Sequence, residues 1–184
     1  MNGSVDLAKF NNSWYQPGSS IKRLLWYACN ALFFKTYWFP LNTFKIQLMK
    51  LFGAKIGTNV RIKPNVNVKY PWFLEIGNYV WIGEGVWLDC LGAVKIGDHV
   101  CISQGALVLS GSHNYNKSAF DLLIKPIELK KGSWVGAKAI VTQGTIMESH
   151  ALLAAGSVAS GLLKSYGIYK GNPAILIKKR AISE

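Results

Sequence analysis

The chain has 184 residues, half of them hydrophobic and 16% charged, which suits one folded domain with an appendage. This composition excludes an intrinsically disordered chain, and the length allows a core that is stable without disulfides. The formal net charge of +12 predicts attraction to an anionic partner, such as nucleic acid, a phosphorylated cofactor or a membrane surface.

The cysteines and the first residues indicate a compartment. Cys29, Cys90 and Cys101 have neither metal-site nor disulfide-framework spacing, which is typical of a reducing environment. The first twenty residues carry Asp6 and Lys9 and lack an apolar run, so no signal peptide is predicted. We therefore expect a cytoplasmic location, with peripheral contact to the inner face of the membrane as a further hypothesis.

Residues 1–52 are rich in aromatic side chains and are predicted to form a helical segment. Ser19, or the serine after it, is a suitable N-cap for a helix that starts near Ile21. Pro40 is expected to end or kink this helix, and a second helix is predicted to stop at Gly53.

Two accounts of this aromatic segment stay open. In the first, it is a helical cap packed on the main domain. In the second, it lies at a membrane interface, because Trp and Tyr rings favour the headgroup zone and lysines flank them. Its apolar run, residues 24–34, is shorter than the roughly 20 residues that span a bilayer. The rings and bases concerned are Trp26, Tyr27, Phe33, Phe34, Tyr37, Trp38, Phe39, Lys22, Arg23, Lys35 and Lys45.

A six-residue repeat occupies residues 53–165. It fits neither the period of a helix nor simple strand alternation, and predicts short strands joined by corners around a narrow core, as in a β-solenoid. Small or β-branched residues often follow four positions after the aliphatic one, and glycine often follows it directly. The aliphatic slots, all apolar, are Ile56, Ile62, Val68, Ile76, Ile82, Leu88, Ile96, Ile102, Val108, Leu129, Val135, Val141, Met147, Leu153 and Ala159.

The repeat lapses in the stretch "GSHNYNKSAFDLLIKPIE", residues 111–128. A solenoid wall is flat and offers no pocket, so a loop that leaves it is the expected place for functional residues. His113 stands at the start of this loop. Residues 166–184 are expected to form a basic C-terminal tail.

The stretches "IGTNVRIKPNVNV", "IGDHVCISQGALVLSGSHNYN" and "GSWVGAKAIVTQGTIMESHALLAAGSVASG", followed by "GNPAILIKKR", resemble the hexapeptide-repeat acyltransferases. The similarity is to the branch of bacterial polysaccharide O-acetyltransferases that includes the colanic acid biosynthesis acetyltransferases. It implies a left-handed parallel β-helix, a homotrimer with active sites between subunits, and acetyl transfer from acetyl-CoA to a sugar hydroxyl in exopolysaccharide or capsule biosynthesis. The implied acceptor is a sugar or a lipid-linked oligosaccharide.

The resemblance also implies roles for residues near the loop. His113 is the expected general base, because imidazole can take a hydroxyl proton at neutral pH. Asp89 is expected either to orient His113 across the cleft or to hold a sugar hydroxyl, although an aspartate at a corner also commonly bonds its own backbone. Asn114, Tyr115 and Asp121 are the candidate acceptor-binding residues.

The acyl donor is expected to lie along the later coils. Small residues would let it approach the backbone, where an amide could hold the thioester oxyanion, and basic residues would pair with its phosphates. Two competing interpretations stay open: Trp134 could be an aromatic of the core or of a trimer contact, and the basic residues could form a solvated tail. Ile175 and Gly161 depart from the basic residues that relatives place there. The implied positions are Trp134, Gly136, Ala137, Ala155, Gly156, Ser160, Lys178, Lys179 and Arg180.

Other function classes fit less well. A carbonic anhydrase of this fold needs three converging histidines, and His99, His113 and His150 are too dispersed, so no metal is expected. Sugar nucleotidyltransferases need a nucleotide-binding domain that this sequence does not contain. Nucleic-acid binding lacks a motif, since the lysines are spread along the chain. A membrane-docked trimeric scaffold without catalysis remains the alternative.

Overall fold

The computed structural model describes residues 3–183. Ser19 caps the first long helix, its Oγ accepting from the backbone N–H of Lys22 at 3.3 Å, and Gly53 follows the second with φ +106°, so the predicted cap and stop are confirmed. The first helical stretch ends before Pro40, which lies in the connection. The helices are a 3-10 turn at Leu7–Lys9, α1 at Ser20–Cys29 continued by a π turn at Asn30–Phe34, α2 at Asn42–Leu51, and a 3-10 turn at Pro71–Phe73.

Residues 3–183 also contain twenty short strands. In chain order they are β1 (Lys55–Ile56), β2 (Arg61–Ile62), β3 (Asn67–Val68), β4 (Leu74–Ile76), β5 (Trp81–Ile82), β6 (Trp87–Asp89), β7 (Val94–Ile96), β8 (Cys101–Ile102), β9 (Leu107–Leu109), β10 (Gly111–His113), β11 (Leu122–Ile124), β12 (Ile127–Leu129), β13 (Trp134–Val135), β14 (Ile140–Val141), β15 (Ile146–Met147), β16 (Leu152–Leu153), β17 (Val158–Ala159), β18 (Leu162–Leu163), β19 (Gly167–Gly171) and β20 (Ala174–Lys179).

Three parallel sheets form the walls of the solenoid. Sheet A is β1-β4-β7-β12-β15-β18, sheet B is β2-β5-β8-β13-β16-β19 with β20 added, and sheet C is β3-β6-β9-β14-β17. The first five coils each contribute one strand to each sheet, and a sixth adds β18 and β19 to sheets A and B. These make up about six turns of the left-handed parallel β-helix that the resemblance implies. We call the turns that lead from sheet B to sheet C the B/C corner, and those from sheet C to sheet A the C/A corner.

The core is a single column of side chains inside the coils. Every predicted aliphatic slot is buried, from Ile56 at 9% exposure to Val141 at 0%. The small residues four positions later are buried too, from Val60 at the first corner to Ser157 at the last. The prediction that the aliphatic slot and the small or β-branched residue four positions later both point inward is therefore confirmed.

Glycine at the corners permits the close approach of successive coils. A Cβ added to Gly83 would lie 2.6 Å from the backbone N of Gln104 and 2.9 Å from the backbone O of Ile102. These neighbours belong to the hydrogen-bonded coil above, where the N–H of Gly83 already donates to Ile102 O at 2.7 Å. A side chain could enter this gap only if the backbone hydrogen bonds between the two coils were broken.

The outer face of sheet A carries a column of alternating charge. Lys55, Glu75, Lys95 and Glu128 are register partners in four successive coils. Lys55 Nζ lies 2.8 Å from Glu75 Oε1, and this hydrogen-bonded lysine, with a smaller contribution from Lys95, lowers the pKa of Glu75. We call this column the charge ladder.

The N-terminal helices close the open end of the first coils. Trp26 and Phe34 are buried with their ring centroids 5.2 Å apart, and Trp26 Nε1 donates to Val68 O at 2.7 Å. The Lys45 side chain, expected beside a membrane, is instead fully buried, which lowers its pKa. Its Nζ lies 5.9 Å from the ring centroid of Phe34, because α2 turns this position toward the solenoid.

The C-terminal stretch contains two strands. Residues 166–184, expected as a basic tail, contain β19, which continues sheet B, and β20, which folds back antiparallel on it. The reason lies in the composition: the stretch "AILIKK" has the aliphatic residues that favour a strand, and "GNP" before it provides the reversal.

Replacing Gly83 by alanine should destabilise the solenoid by about 2 kcal/mol or more, because the added methyl group meets rigid backbone of the next coil. Denaturant unfolding followed by circular dichroism measures the change. Gly3→Ala is the matched control, since a Cβ there meets no atom within 4 Å. Equal stability of the two variants would contradict the packing argument.

Candidate active site

The interruption of the repeat is a β-hairpin on the C/A corner. After β9, the chain leaves the solenoid as β10, reverses, and returns as the antiparallel strand β11 before β12 resumes sheet A. His113 pairs with Leu122 at the outer end of this hairpin. The lapse in the six-residue period therefore corresponds to a structural excursion, as predicted, and it carries the histidine away from the flat wall.

The ring of His113 is held by Phe120. Nδ1 of His113 lies 2.9 Å from the backbone O of Phe120, and the two rings stack with centroids 4.5 Å apart and planes 11° apart. A carbonyl oxygen can only accept, so Nδ1 carries the proton and donates it. In the neutral imidazole, Nε2 then has a free lone pair, which is the form that a general base needs.

Phe120 itself has an unusual backbone. Its φ of +51° lies in the left-handed region, which is costly for a bulky side chain. The backbone N–H of Phe120 donates to Lys117 O at 3.0 Å, and that of Asn114 donates to Asp121 O at 2.8 Å. These loop hydrogen bonds hold Phe120 in the conformation that presents both its carbonyl and its ring to His113.

The N-terminal segment covers the histidine from the other side. Phe10 packs on His113 with ring centroids 5.6 Å apart, and the Asp6 N–H donates to Ser118 O at 2.9 Å. Between this segment and the solenoid lies a cavity of about 640 Å³. We call it the histidine cavity; besides Phe10 and His113 its walls include Tyr15, Arg23, Lys69, Tyr70, Leu91 and Leu122.

Asp89 lies behind this cavity and contacts a lysine. Its Oδ1 is 3.1 Å from Lys69 Nζ, and its side chain is 13% exposed. Tyr15 is also close: its hydroxyl donates to Leu91 O at 2.6 Å, and its pKa is raised, chiefly by burial and then by Tyr70 and Asp89. Within this chain Asp89 forms an ion pair with Lys69 and the carbonyl of Phe120 bonds to His113, so the roles predicted for Asp89, toward His113 across the cleft or toward a sugar hydroxyl, stay predictions.

The polar loop residues bond mainly to their own hairpin. Asn114 Oδ1 accepts from the N–H of Asn116 at 3.1 Å, and Asp121 Oδ2 lies 3.1 Å from Lys117 Nζ. The side chain of Tyr115 is exposed. Their predicted contacts with an acceptor stay predictions, and none of the three lines the histidine cavity.

Four of the nine positions expected for the acyl donor lie together on the B/C corner of the later coils. Ala155 and Gly156 are exposed there, and a Cβ added to Gly156 would meet no atom within 4 Å. Ala137 is half-buried beside them, whereas Gly136 is buried and would bring a Cβ 2.5 Å from Ala155 N. The corner thus exposes backbone and small side chains, and we call these four residues the small-residue bed; their predicted contact with the acyl donor stays a prediction.

The other donor candidates are dispersed around this bed. Trp134 lies on sheet B, half-exposed, and its Nε1 donates to Ser103 Oγ at 2.8 Å. Lys178 and Lys179 are exposed on β20, but Arg180 donates to the backbone carbonyls of Gly132 and His150. Ser160 lies on the C/A corner, between β17 and β18.

The two halves of the predicted site are therefore on different corners of one chain. The hairpin with His113 projects from the C/A corner, and the small-residue bed occupies the B/C corner, with sheet C between them.

Sequence reasoning missed several residues of the histidine cavity. Arg23 and Lys69 were not singled out for it, nor were Phe10 and Tyr15. For Phe10 and Tyr15 the only sequence signal is the group of three aromatic residues in the otherwise polar stretch "KFNNSWYQPGSS", because the segment has no periodic pattern.

Comparison with known proteins identifies the family. No protein-family model matches the chain. It is 36% identical over 172 residues to the colanic acid biosynthesis acetyltransferase WcaF of Escherichia coli K12, covering 92% of this chain and 93% of that protein. A hexapeptide-repeat acetyltransferase from Vibrio cholerae, solved with acetyl coenzyme A, superposes with a TM-score of 0.79 at 18% identity, covering 91% of this chain and 93% of that one.

A maltose O-acetyltransferase from Clostridium difficile has the same fold, with a TM-score of 0.74 at 20% identity and coverage of 88% of both chains. The resemblance drawn from the sequence motifs is thereby confirmed. The chain belongs to the hexapeptide-repeat acetyltransferases, in the branch of the colanic acid biosynthesis acetyltransferases.

Proposed function

We propose that this acetyltransferase moves the acetyl group of acetyl-CoA to a sugar hydroxyl in exopolysaccharide biosynthesis, with His113 as general base. The observation that carries the proposal is the hydrogen bond from His113 Nδ1 to Phe120 O. It leaves Nε2 as the acceptor, at the wall of a cavity that can hold a sugar. Membership of the acetyltransferase family and the relative named for colanic acid support the reaction and its setting.

The proton has a complete path in this scheme. Nε2 of His113 accepts the proton of the sugar hydroxyl while the hydroxyl oxygen attacks the thioester carbonyl. This is a direct transfer within a ternary complex. The resulting imidazolium keeps its bond to Phe120 O and returns the proton to the departing CoA thiolate. A backbone N–H of the B/C bed is the candidate donor to the oxyanion, because those amides lie at an exposed corner.

The enzyme is proposed to act as a homotrimer. The support is the separation of the His113 hairpin and the small-residue bed on two corners of one chain. In a three-fold ring, the hairpin of one subunit can wall a cleft whose floor is the bed of its neighbour. Three identical sites would form in this way.

The N-terminal helices are proposed to dock on an anionic membrane. Trp26 and Phe34 are core residues, but α1 and the segment that follows it expose many others: Ile21, Leu24, Leu25, Tyr27, Leu32, Tyr37, Trp38, Leu41 and Phe44. Within residues 3–183 every helix is too short or too polar to traverse a bilayer. An exposed apolar surface of this kind is instead suited to the membrane–water interface.

Charge favours an anionic surface as the occupant of this face. Between Asp6 and Glu75 the sequence has no carboxylate side chain and ten Lys or Arg residues. Each base near an anionic leaflet adds about 1 kcal/mol, and three copies on a trimer would act together. A non-catalytic scaffold would use the same face, but it would not require the orientation of His113.

His113→Ala should lower acetyl transfer by roughly 10²–10⁴-fold, the usual loss when a general base is removed. The assay is release of CoA thiol from acetyl-CoA with a panel of sugar acceptors. His99→Ala is the control, since His99 stacks on Tyr79 at a different corner. Full turnover by a folded His113→Ala protein would refute His113 as the general base, whereas a wild-type protein without turnover on any acceptor would support the non-catalytic scaffold.

Mixed trimers test the shared site. His113→Ala and Ala155→Trp chains should each be inactive alone, the second because the indole fills the open bed. Refolded together, they should regain activity, since some clefts then combine an intact hairpin with an intact bed. The control is a mixture of His113→Ala chains with chains that carry both substitutions. It should stay inactive, because every cleft then lacks His113. Absence of rescue in the first mixture, or a mass by sedimentation equal to one 20.3 kDa chain, would exclude the shared site.

Flotation with phosphatidylglycerol vesicles tests membrane docking. Binding of the full-length protein should rise with the anionic lipid fraction, weaken in high salt, and fall strongly in Leu24→Asp/Trp38→Asp. These positions are exposed, whereas deletion of the helices would uncover the core around Trp26. Leu162→Asp/Ile182→Asp, at exposed sites on the opposite end, should bind normally. Wild-type protein that stays with the lipid-free fraction at low salt would refute docking.

A further inference from the structure

Residues 3–18 run along the histidine cavity as a segment whose only regular element is the 3-10 turn at Leu7–Lys9. We call this segment the strap. Its residues between Phe10 and Gly18 form one wall of the cavity, and the hairpin, α1 and the solenoid provide the other walls. A molecule bound at His113 would therefore lie against the strap, so the attachment of the strap controls access to this histidine.

The strap is attached to the rest of the chain at few points. Among the residues that the structure describes, two hydrogen bonds join it to other segments: the Asp6 N–H donates to Ser118 O at 2.9 Å, and the Tyr15 hydroxyl donates to Leu91 O at 2.6 Å. None of its side chains is fully buried. A segment with so few external hydrogen bonds and so little buried apolar surface opens far more easily than the solenoid core.

The part of the strap that contacts His113 has its own internal hydrogen bonds. Asp6 caps the 3-10 turn, because its Oδ1 accepts from the Ala8 N–H at 3.1 Å. At the other end of the turn, the N–H of Phe10 donates to Leu7 O at 3.1 Å. The ring of Phe10, with its centroid 5.6 Å from that of His113, is therefore fixed to the turn. The turn and the ring can move together, since the bonds that shape them lie within the strap.

The strap ends at a residue that is suited to a hinge. Gly18 has φ +98°, which side chains rarely tolerate, and it directly precedes Ser19, the N-cap of α1. A Cβ added to Gly18 would lie 3.6 Å from Cζ2 of Trp72, an ordinary contact distance. Rotation about the backbone of Gly18 would lift the strap while α1 stays packed on the solenoid.

We propose that the strap is a lid over the histidine cavity, which opens at Gly18 to admit the acceptor and closes Phe10 against His113 during transfer. This inference rests on the proposed role of His113 as general base. It adds a conformational step and names Phe10 as the residue that closes the site.

Closure serves the reaction because water competes with the sugar for the same base. With the lid open, Nε2 of His113 can take a proton from water while the water oxygen attacks the thioester carbonyl. The C–S bond then breaks and the CoA thiolate takes the proton from the imidazolium. The products are acetic acid and CoA thiol instead of an acetylated sugar.

A disulfide between the strap and the hairpin tests the lid in the full-length protein. Asp6 N and Ser118 O are 2.9 Å apart, so the cysteines of Asp6→Cys/Ser118→Cys should join the two segments when oxidised and release them when reduced. The readout is carbethoxylation of histidine by diethyl pyrocarbonate, mapped by peptide mass spectrometry. His113 should react about fivefold or more slowly in the oxidised protein, because only the reduced lid opens.

The other two histidines of the chain are internal controls. His99 and His150 lie at the turns from sheet A to sheet B, stacked on Tyr79 and Tyr166, and should react equally in both forms. The reduced protein lacks the Asp6 cap as well, so this loss affects both forms. Wild-type protein under the same oxidant controls for its own cysteines. If His113 reacts as fast in cross-linked protein as in reduced protein, the lid is refuted.

Phe10→Ala tests the lid without a cross-link. Loss of the ring should speed carbethoxylation of His113 and raise the release of CoA thiol from acetyl-CoA without acceptor, each by about threefold or more, because water reaches the site more often. Leu7→Ala is the matched control: it truncates an exposed apolar side chain of the same turn that does not line the cavity. A Phe10→Ala protein that matches Leu7→Ala in both measurements would refute the lid.

The two proposals can fail separately. Carbethoxylation does not depend on catalysis, so protection of His113 in the cross-linked protein would support the lid even if no sugar is acetylated. Acetyl transfer that is lost in His113→Ala but proceeds at full rate in the cross-linked protein would refute the lid and leave the transferase function intact.

Discussion

The stacking distance between coils is the constraint on which the rest of this molecule depends. Backbone at the corners approaches so closely that Gly83 has no space for a Cβ, and the interior accepts only the aliphatic slot and the small or β-branched residue four positions later. The walls that result are flat and continuously hydrogen-bonded. A pocket can form only where the chain leaves the stack, and here the hairpin and the N-terminal segment do so on the same side.

The regular part of the fold could be predicted because its cause is local and repeated. The slots from Ile56 to Ala159, the Ser19 cap and the Gly53 stop each follow from a side chain and its near neighbours. The position of His113 followed from the lapse of the period. The contacts of Phe10 with this histidine could not be predicted, since they join residues about one hundred positions apart without any repeat.

The burial of Lys45 and the strands of the C-terminal stretch could not be predicted for the same reason, since both depend on contacts with distant parts of the chain. The sequence predicts that a lysine on a short amphipathic helix is exposed, and only the packing of α2 on the solenoid buries Lys45. The candidate site is a similar case: the motifs indicated His113 and the small residues near Ala155, but which corner each occupies depends on the coil geometry. Arg23 lies on α1, and only the packing of this helix brings it to the same cavity wall as Lys69.

The charge ladder on sheet A has a consequence for assembly of the solenoid. Repeats so alike in their interior could pair out of order during folding, since any coil offers a similar core and backbone to any other. In the native order each of Lys55, Glu75, Lys95 and Glu128 meets the opposite charge. A coil that skipped its neighbour would place Lys55 on Lys95, or Glu75 on Glu128. The surface thus discriminates against mispaired coils that the uniform interior would accept.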